Sequence, residues 1–204
     1  MKIDPDEIDA IRELVNIGVG KAAGILSEMT GSTIELQIPV VHLYGIDDLH
    51  RIGSILGDER HVAVTLGFEG AFSGVTFSIF PAGSVNILIA AITGEDPDLS
   101  ETSVHLNAIH AETLKEVGNI LINGIMGSIT NVLGKQLRYS LPTYSEEEIP
   151  VLIESVRKEH REAIFIAETR MFIRSLDIEG KILIIMGSGS LKALISRVRE
   201  IRDQ

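Results

Sequence analysis

The polar run Asp9-Ala-Ile-Arg-Glu13-Leu-Val-Asn16 returns as Glu112-Thr-Leu-Lys-Glu116-Val-Gly-Asn119, 103 positions later and without a gap. The match extends to the glycines Gly31 and Gly134. It extends also to Pro39 and Pro142, each separated from its Asn by twenty-two residues. A chain of 204 residues whose polar spacing recurs at half its length reads as a tandem duplication, because two similar units that each expose an apolar side bury it together. One domain over residues 1–204 is therefore expected, made of two homologous halves at about 1–95 and about 103–204.

Each half opens with the pattern of a long helix. Asp4 can cap free N–H groups, Pro5 suits a first-turn position, and Asp6, Glu7 and Asp9 favour the positive helix start. Ile8, Ile11, Val15, Gly18, Ala22, Ile25 and Met29 recur at three and four residues and predict one buried face, with Gly31 as the C-terminal cap. After the helix, the first half predicts a strand at 33–39 and a mixed stretch at 40–57 with a short helix near 46–56. A hairpin of 61–67 and 72–80 follows, turning at Glu69-Gly70, then a helix at 82–93 and a connector at 94–98. The second half predicts a helix at about 105–133 and a strand at 136–142. A helix at 146–158 comes next, then strands at 163–174 and 181–186 around the turn 177–180, and a helix at 190–202. The expected class is a layered α/β or α+β fold with pseudo-two-fold symmetry, about six strands and two long helices.

Composition narrows the function. Apolar residues make up 45% of the chain, enough for a sizeable core. A net charge of −11 argues against a nucleic-acid partner, which needs clustered Lys and Arg. Cysteine is absent, which excludes disulfides, thiolate zinc sites and a Cys nucleophile, and fits a cytoplasmic setting. The start lacks the apolar core of a signal peptide, and no run reaches the ~18 apolar residues of a membrane span. Six scattered histidines form no ligand cluster, so no metal site is expected. Gly18-Val-Gly20-Lys-Ala-Ala23 fits a dinucleotide pattern only loosely and lies inside a helix with no strand before it. Gly187-Ser-Gly189-Ser reads as a strand-to-helix turn.

The repeated face carries the chemistry. At ~100° per residue, Asp9, Asn16, Gly20 and Gly24 fall within ~60° of Glu13, opposite the apolar stripe. Glycine inside a helix costs about 1 kcal/mol relative to Ala, so Gly20 and Gly24 suggest close approach by an external body. Gly18 points inward, where helix packing explains it equally well. In the second copy Asn123 and Gly127 take the places of Gly20 and Gly24. An Asn amide both donates and accepts and can hold a water, while a carboxylate can hold a cation or a partner's Lys. That equipment suits hydrolysis of an already activated phosphoryl group, where positioning dominates. It lacks a nucleophile–base pair or metal of its own, so the rest of the site must come with the substrate. A solvated face, or an Asn-centred network buried between the halves, are the plainer readings.

The pattern Asp/Ser-x-x-x-Glu-x-x-Asn, twenty-two residues, then Pro resembles that of the CheC–CheX–FliY phosphatases of bacterial chemotaxis. Asp9, Glu13, Asn16 and Pro39 match in full, and Glu116, Asn119 and Pro142 match again, with Glu112 in place of Asp or Ser. Two copies with little added sequence are most similar to the CheC branch. The resemblance implies dephosphorylation of the aspartyl phosphate of CheY-P. Asn16 and Asn119 would orient the attacking water, and Glu13 and Glu116 would engage a Lys of CheY. Asp9, Gly20, Gly24, Glu112 and Asn123 would line the contact. CheY would supply the Mg²⁺, so no cofactor of the chain's own is expected. CheD is an implied second partner, and a non-catalytic adaptor for CheY or CheD is the alternative.

Overall fold

Both long helices form, and the residues expected to end them do so. The computed structural model describes residues 4–37, 40–44, 61–96, 106–147 and 164–202. Helix α1 spans Pro5–Thr30. Asp4 caps it in a capping box: its side chain accepts from the Asp6 N–H, and its own N–H donates to Glu7 at 3.2 Å. Gly31 closes the helix at φ 61°, a left-handed conformation that costs glycine little. After α1 come the short strands β1 (Ile34–Leu36) and β2 (Val40–Tyr44), the hairpin β3 (His61–Gly70) and β4 (Gly74–Pro81), and α2 (Ala82–Thr93). The order then recurs. Helix α3 (Ala108–Leu133), capped by Asn107 and closed by Gly134 at φ 60°, precedes β5 (Leu137–Tyr139) and β6 (Thr143–Glu147). A hairpin of β7 (Ile164–Ile173) and β8 (Ile178–Gly187) and then α4 (Ser188–Arg202) complete it.

The described strands form one antiparallel sheet of eight, in the order β1-β7-β8-β4-β3-β5, with β2 also on β7 and β6 also on β3. Each half lends its short strands to the hairpin of the other. The registers correspond at the sequence offset: Ile34 faces Ile173 as Leu137 faces Gly70, and Val40 faces Glu168 as Thr143 faces Thr65. At the centre β4 runs against β8, Gly74 opposite Met186. Helices α1 and α3 pack on each other, and their apolar sides join sheet residues such as Val62, Val64 and Leu66 in one core.

Several local expectations are corrected. The described sheet has eight strands rather than about six, because β2 and β6 are separate short strands. Glu146 and Glu147 lie in β6 and not at a helix start, since pairing with β3 outweighs the local charge pattern. The first hairpin turns after Gly70 rather than at it. The second turns through a 3-10 segment, Arg174–Leu176, with Asp177 at φ 52°, so Gly180 sits inside β8. A Cβ on Gly180 would lie 2.9 Å from the Phe80 ring, so this glycine serves packing. Ile25, expected on the buried face of α1, is 39% exposed, and Leu14, Val19 and Leu26 are buried instead. The expected helix near 46–56, Pro39, and the rest of the expected helix at 146–158 lie outside the described residues.

Across the β1 edge, Arg174 grips Glu35 with two N–H groups, Nη2 donating to Oε2 at 2.5 Å and Nε to Oε1. Hydrogen bonding by Arg174, reinforced by its charge, holds the Glu35 carboxyl below its ordinary value of 4.5. A depressed carboxyl stabilises the fold above the unfolded value and loses that contribution as pH falls through the folded one. Arg174→Met is therefore expected to lower the melting temperature slightly near neutral pH, since exposed pairs contribute little. Melting curves of both proteins should converge as pH drops below the ordinary carboxylate range.

Candidate functional site

The outward faces of α1 and α3 are set by how tightly the two helices meet. A Cβ on Gly18 would lie 2.5 Å from the Ile125 Cα, and one on Gly124 would lie 2.8 Å from the Ala22 Cβ. No side chain fits at such a separation, so small residues at these places let the backbones approach and fix how each helix is rotated. Gly18 is thus a packing glycine, and the turn of α1 opposite it is left outside.

On α1, Asp9, Glu13, Gly20 and Gly24 are exposed and Asn16 is half-buried. Asp9 accepts from the Arg12 Nη1 at 2.6 Å. No hydrogen bond or ion pair engages the Glu13 carboxylate or the Asn16 amide among the described residues. A Cβ on Gly20 or Gly24 would meet nothing within 4 Å, so fold packing does not require glycine at either position. Ile17, beside Asn16, is 48% exposed, an apolar surface that the polar spacing did not reveal.

On α3 the arrangement recurs. Glu112, Glu116 and Asn123 are exposed and Asn119 is half-buried. Lys115 donates to Glu112 at 2.7 Å, the counterpart of the Arg12–Asp9 pair. Glu116 is unengaged among the described residues. The copies differ at one point: Asn123 Nδ2 donates to the Asn119 Oδ1 at 2.7 Å, whereas Gly20 has no side chain to offer Asn16.

The first acid of each motif is therefore neutralised by the base three residues on, and the second acid stands free beside the amide. Both pairings follow the helical i, i+3 spacing, so Arg12 and Lys115 were legible in the sequence as partners. The reading in which Glu13 and Glu116 are sealed between the halves does not hold, since both are exposed. Each face offers one free carboxylate, one amide and a bare or polar stretch. A cavity of about 620 Å³ lies elsewhere, lined by Glu35, Gln37, Arg174, Asp177 and Glu179 among others, and includes no residue of either face. The faces are exposed helix surfaces, suited to a macromolecule that brings its own cleft. Among the described residues no group of three or more His, Asp or Glu is placed to hold a metal ion, and no helix is long and apolar enough to cross a membrane.

The model of the CheC-like family matches residues 7–43, the stretch that holds the whole first motif. The CheY-P phosphatase CheC of Bacillus subtilis is 27% identical over 144 residues, covering 70% of this chain and 68% of that protein. Among solved structures, Thermotoga maritima FliY superposes with a TM-score of 0.74 at 19% identity, over 98% of this chain and 100% of the other. A chain of the CheX–CheY–BeF₃–Mg²⁺ complex from Borrelia burgdorferi superposes with a TM-score of 0.59 at 17% identity, over 84% of this chain and 97% of that one. At such identities the superpositions speak for the fold alone. The family model coincides with the first motif on one stretch of the chain, and the superpositions show a fold shared with FliY and CheX structures.

Proposed function

We propose that this chain is a phosphatase acting on the aspartyl phosphate of a CheY-like response regulator. The observation that carries the reading is the pair of outward helix faces, each with an unengaged Glu one turn before a half-buried Asn. Fold alone would not choose an activity. The relatives named for CheY-P phosphatase activity, and a neighbour solved with CheY, support the same substrate class.

In this reading the regulator docks its phosphorylated cleft over one helix. The Asn16 or Asn119 amide enters and holds a water in line with the phosphorus. The water oxygen bonds to phosphorus as the phosphorus–oxygen bond to the aspartate breaks. Inorganic phosphate and the aspartate carboxylate leave, and the water's proton passes to solvent or phosphate. An amide is too weak a base to take that proton for good, so its contribution is orientation. Glu13 or Glu116 meets a cation of the regulator, and Mg²⁺, where the reaction uses it, would come with the regulator's own phosphate cleft. The setting is the cytoplasm, and contact with CheD is part of the same proposal.

Phosphate release from phosphorylated regulator, with and without this protein, tests the reading. Binding without acceleration would instead identify an adaptor. Glu13→Lys combined with Glu116→Lys is expected to raise KM by about tenfold or more, because repulsion replaces a docking attraction, while kcat falls less. A saturation curve at two salt concentrations checks this. An unchanged KM would remove the docking role from both carboxylates.

A further inference from the structure

We propose that Asn123 is a positioning residue of the second face, so that the two copies present their amides in different states. The inference rests on the phosphatase reading above. Asn123 lies one helical turn beyond Asn119 and donates Nδ2–H to its Oδ1 at 2.7 Å. That bond occupies one lone pair of the Asn119 oxygen and sets the plane of the amide. The Asn119 Nδ2 keeps its donors, and the second lone pair of Oδ1 stays available to a water. On the first face the corresponding position is Gly20, where even a Cβ would find open space within 4 Å. Asn16 therefore rotates without such a partner, and must be oriented when the substrate arrives. A group whose rotamer is already held loses less freedom in reaching a productive geometry.

Asn123 itself is exposed on the helix, so its removal leaves no buried group unpaired. Its replacement by Ala raises helix propensity, and the variant is expected to fold as the parent does. The experiment isolates the second face by placing all changes in an Asn16→Ala parent and measuring phosphate release from phosphorylated regulator over a range of its concentrations. Asn123→Ala is expected to lower kcat about three- to tenfold, the range a single neutral hydrogen bond supplies, with KM nearly unchanged. Asn123→Gln keeps a donor on the same helix face and is expected to restore most of the loss. In an Asn119→Ala parent, Gly20→Asn builds the missing pair on the first face and is expected to raise kcat by a similar factor.

Equal kcat in Asn123→Ala and its parent overturns the proposal. So does a change confined to KM, which would make Asn123 a contact with the regulator instead of a support for Asn119. A silent Asn16→Ala parent beside an active natural protein overturns it too, because the second face would then do no chemistry. If the natural protein itself releases no phosphate, the phosphatase reading fails first, and that failure is visible before any Asn123 variant is made.

Discussion

Replacing Asn16 and Asn119 together with Ala is expected to return phosphate loss to the regulator's own rate, a fall of about 10²-fold or more in the stimulated reaction. That scale is what single positioned polar groups contribute when little else in the active site comes from the protein. Loss of folding is not a competing explanation. Both amides are half-buried on helix surfaces, and Ala is the better helix former by several tenths of a kcal/mol at each site. Removing Asn119 leaves Asn123 exposed and free to bind water, so no polar group is stranded. The melting temperature should therefore hold or rise slightly while activity disappears. Each single variant should keep the turnover of the remaining face. A double variant that hydrolyses the acyl phosphate at the natural rate would remove both amides from the chemistry and leave the repeated face as a binding surface.

The helices and their faces were legible because their signals are local. Asp4, Pro5 and Gly31 act within a turn of the ends they define, and an i, i+4, i+7 face follows from helix geometry once the helix is known. The repeat drew attention to the face, since Glu13 and Asn16 recur at matching spacing as Glu116 and Asn119. What stayed hidden depends on contacts distant in sequence. Nothing near Ile34 says that its strand pairs with Ile173 in the other half, or that β5 returns the exchange at Gly70. Gly180 reads as a turn residue from its neighbours, yet its place is decided by the Phe80 ring. Thr143–Glu147 has the composition of a loop or helix start and becomes a strand only because β3 offers it an edge. Ile25 shares the three-and-four spacing of buried residues, but the burial of α1 is centred nearer Leu26, which turns Ile25 towards the open side beside Gly24.

Gly18 and Gly20 are two residues apart on one helix, and substitution by Ala is expected to act on them with opposite sign. At Gly20 an added Cβ meets open space, so only the backbone effect remains: Ala restricts the unfolded chain and favours the helix by about 1 kcal/mol. For a chain of this size that raises the melting temperature by about 2–4 °C. At Gly18 the same gain is available, but the new carbon would stand 2.5 Å from the Ile125 Cα and 2.7 Å from its carbonyl oxygen. Those are backbone atoms of a packed helix and have no rotamer through which to withdraw. Overpacking of this kind costs about 1–3 kcal/mol, and at backbone contact the upper part of that range applies. The net expectation is a loss of about 1–2 kcal/mol and a melting temperature lower by about 2–8 °C, read from thermal unfolding of the two variants side by side. Each Glu–Asn pair is carried wholly by one helix, so a slight parting of α1 from α3 leaves the spacing within each pair intact. Below its melting range the Gly18→Ala protein should therefore still release phosphate as the natural protein does. Stabilisation by both substitutions would mean that α1 and α3 do not meet as closely as described. A Gly18→Ala protein that is folded but inactive would mean that the two faces work as one site, bridged across the helix pair.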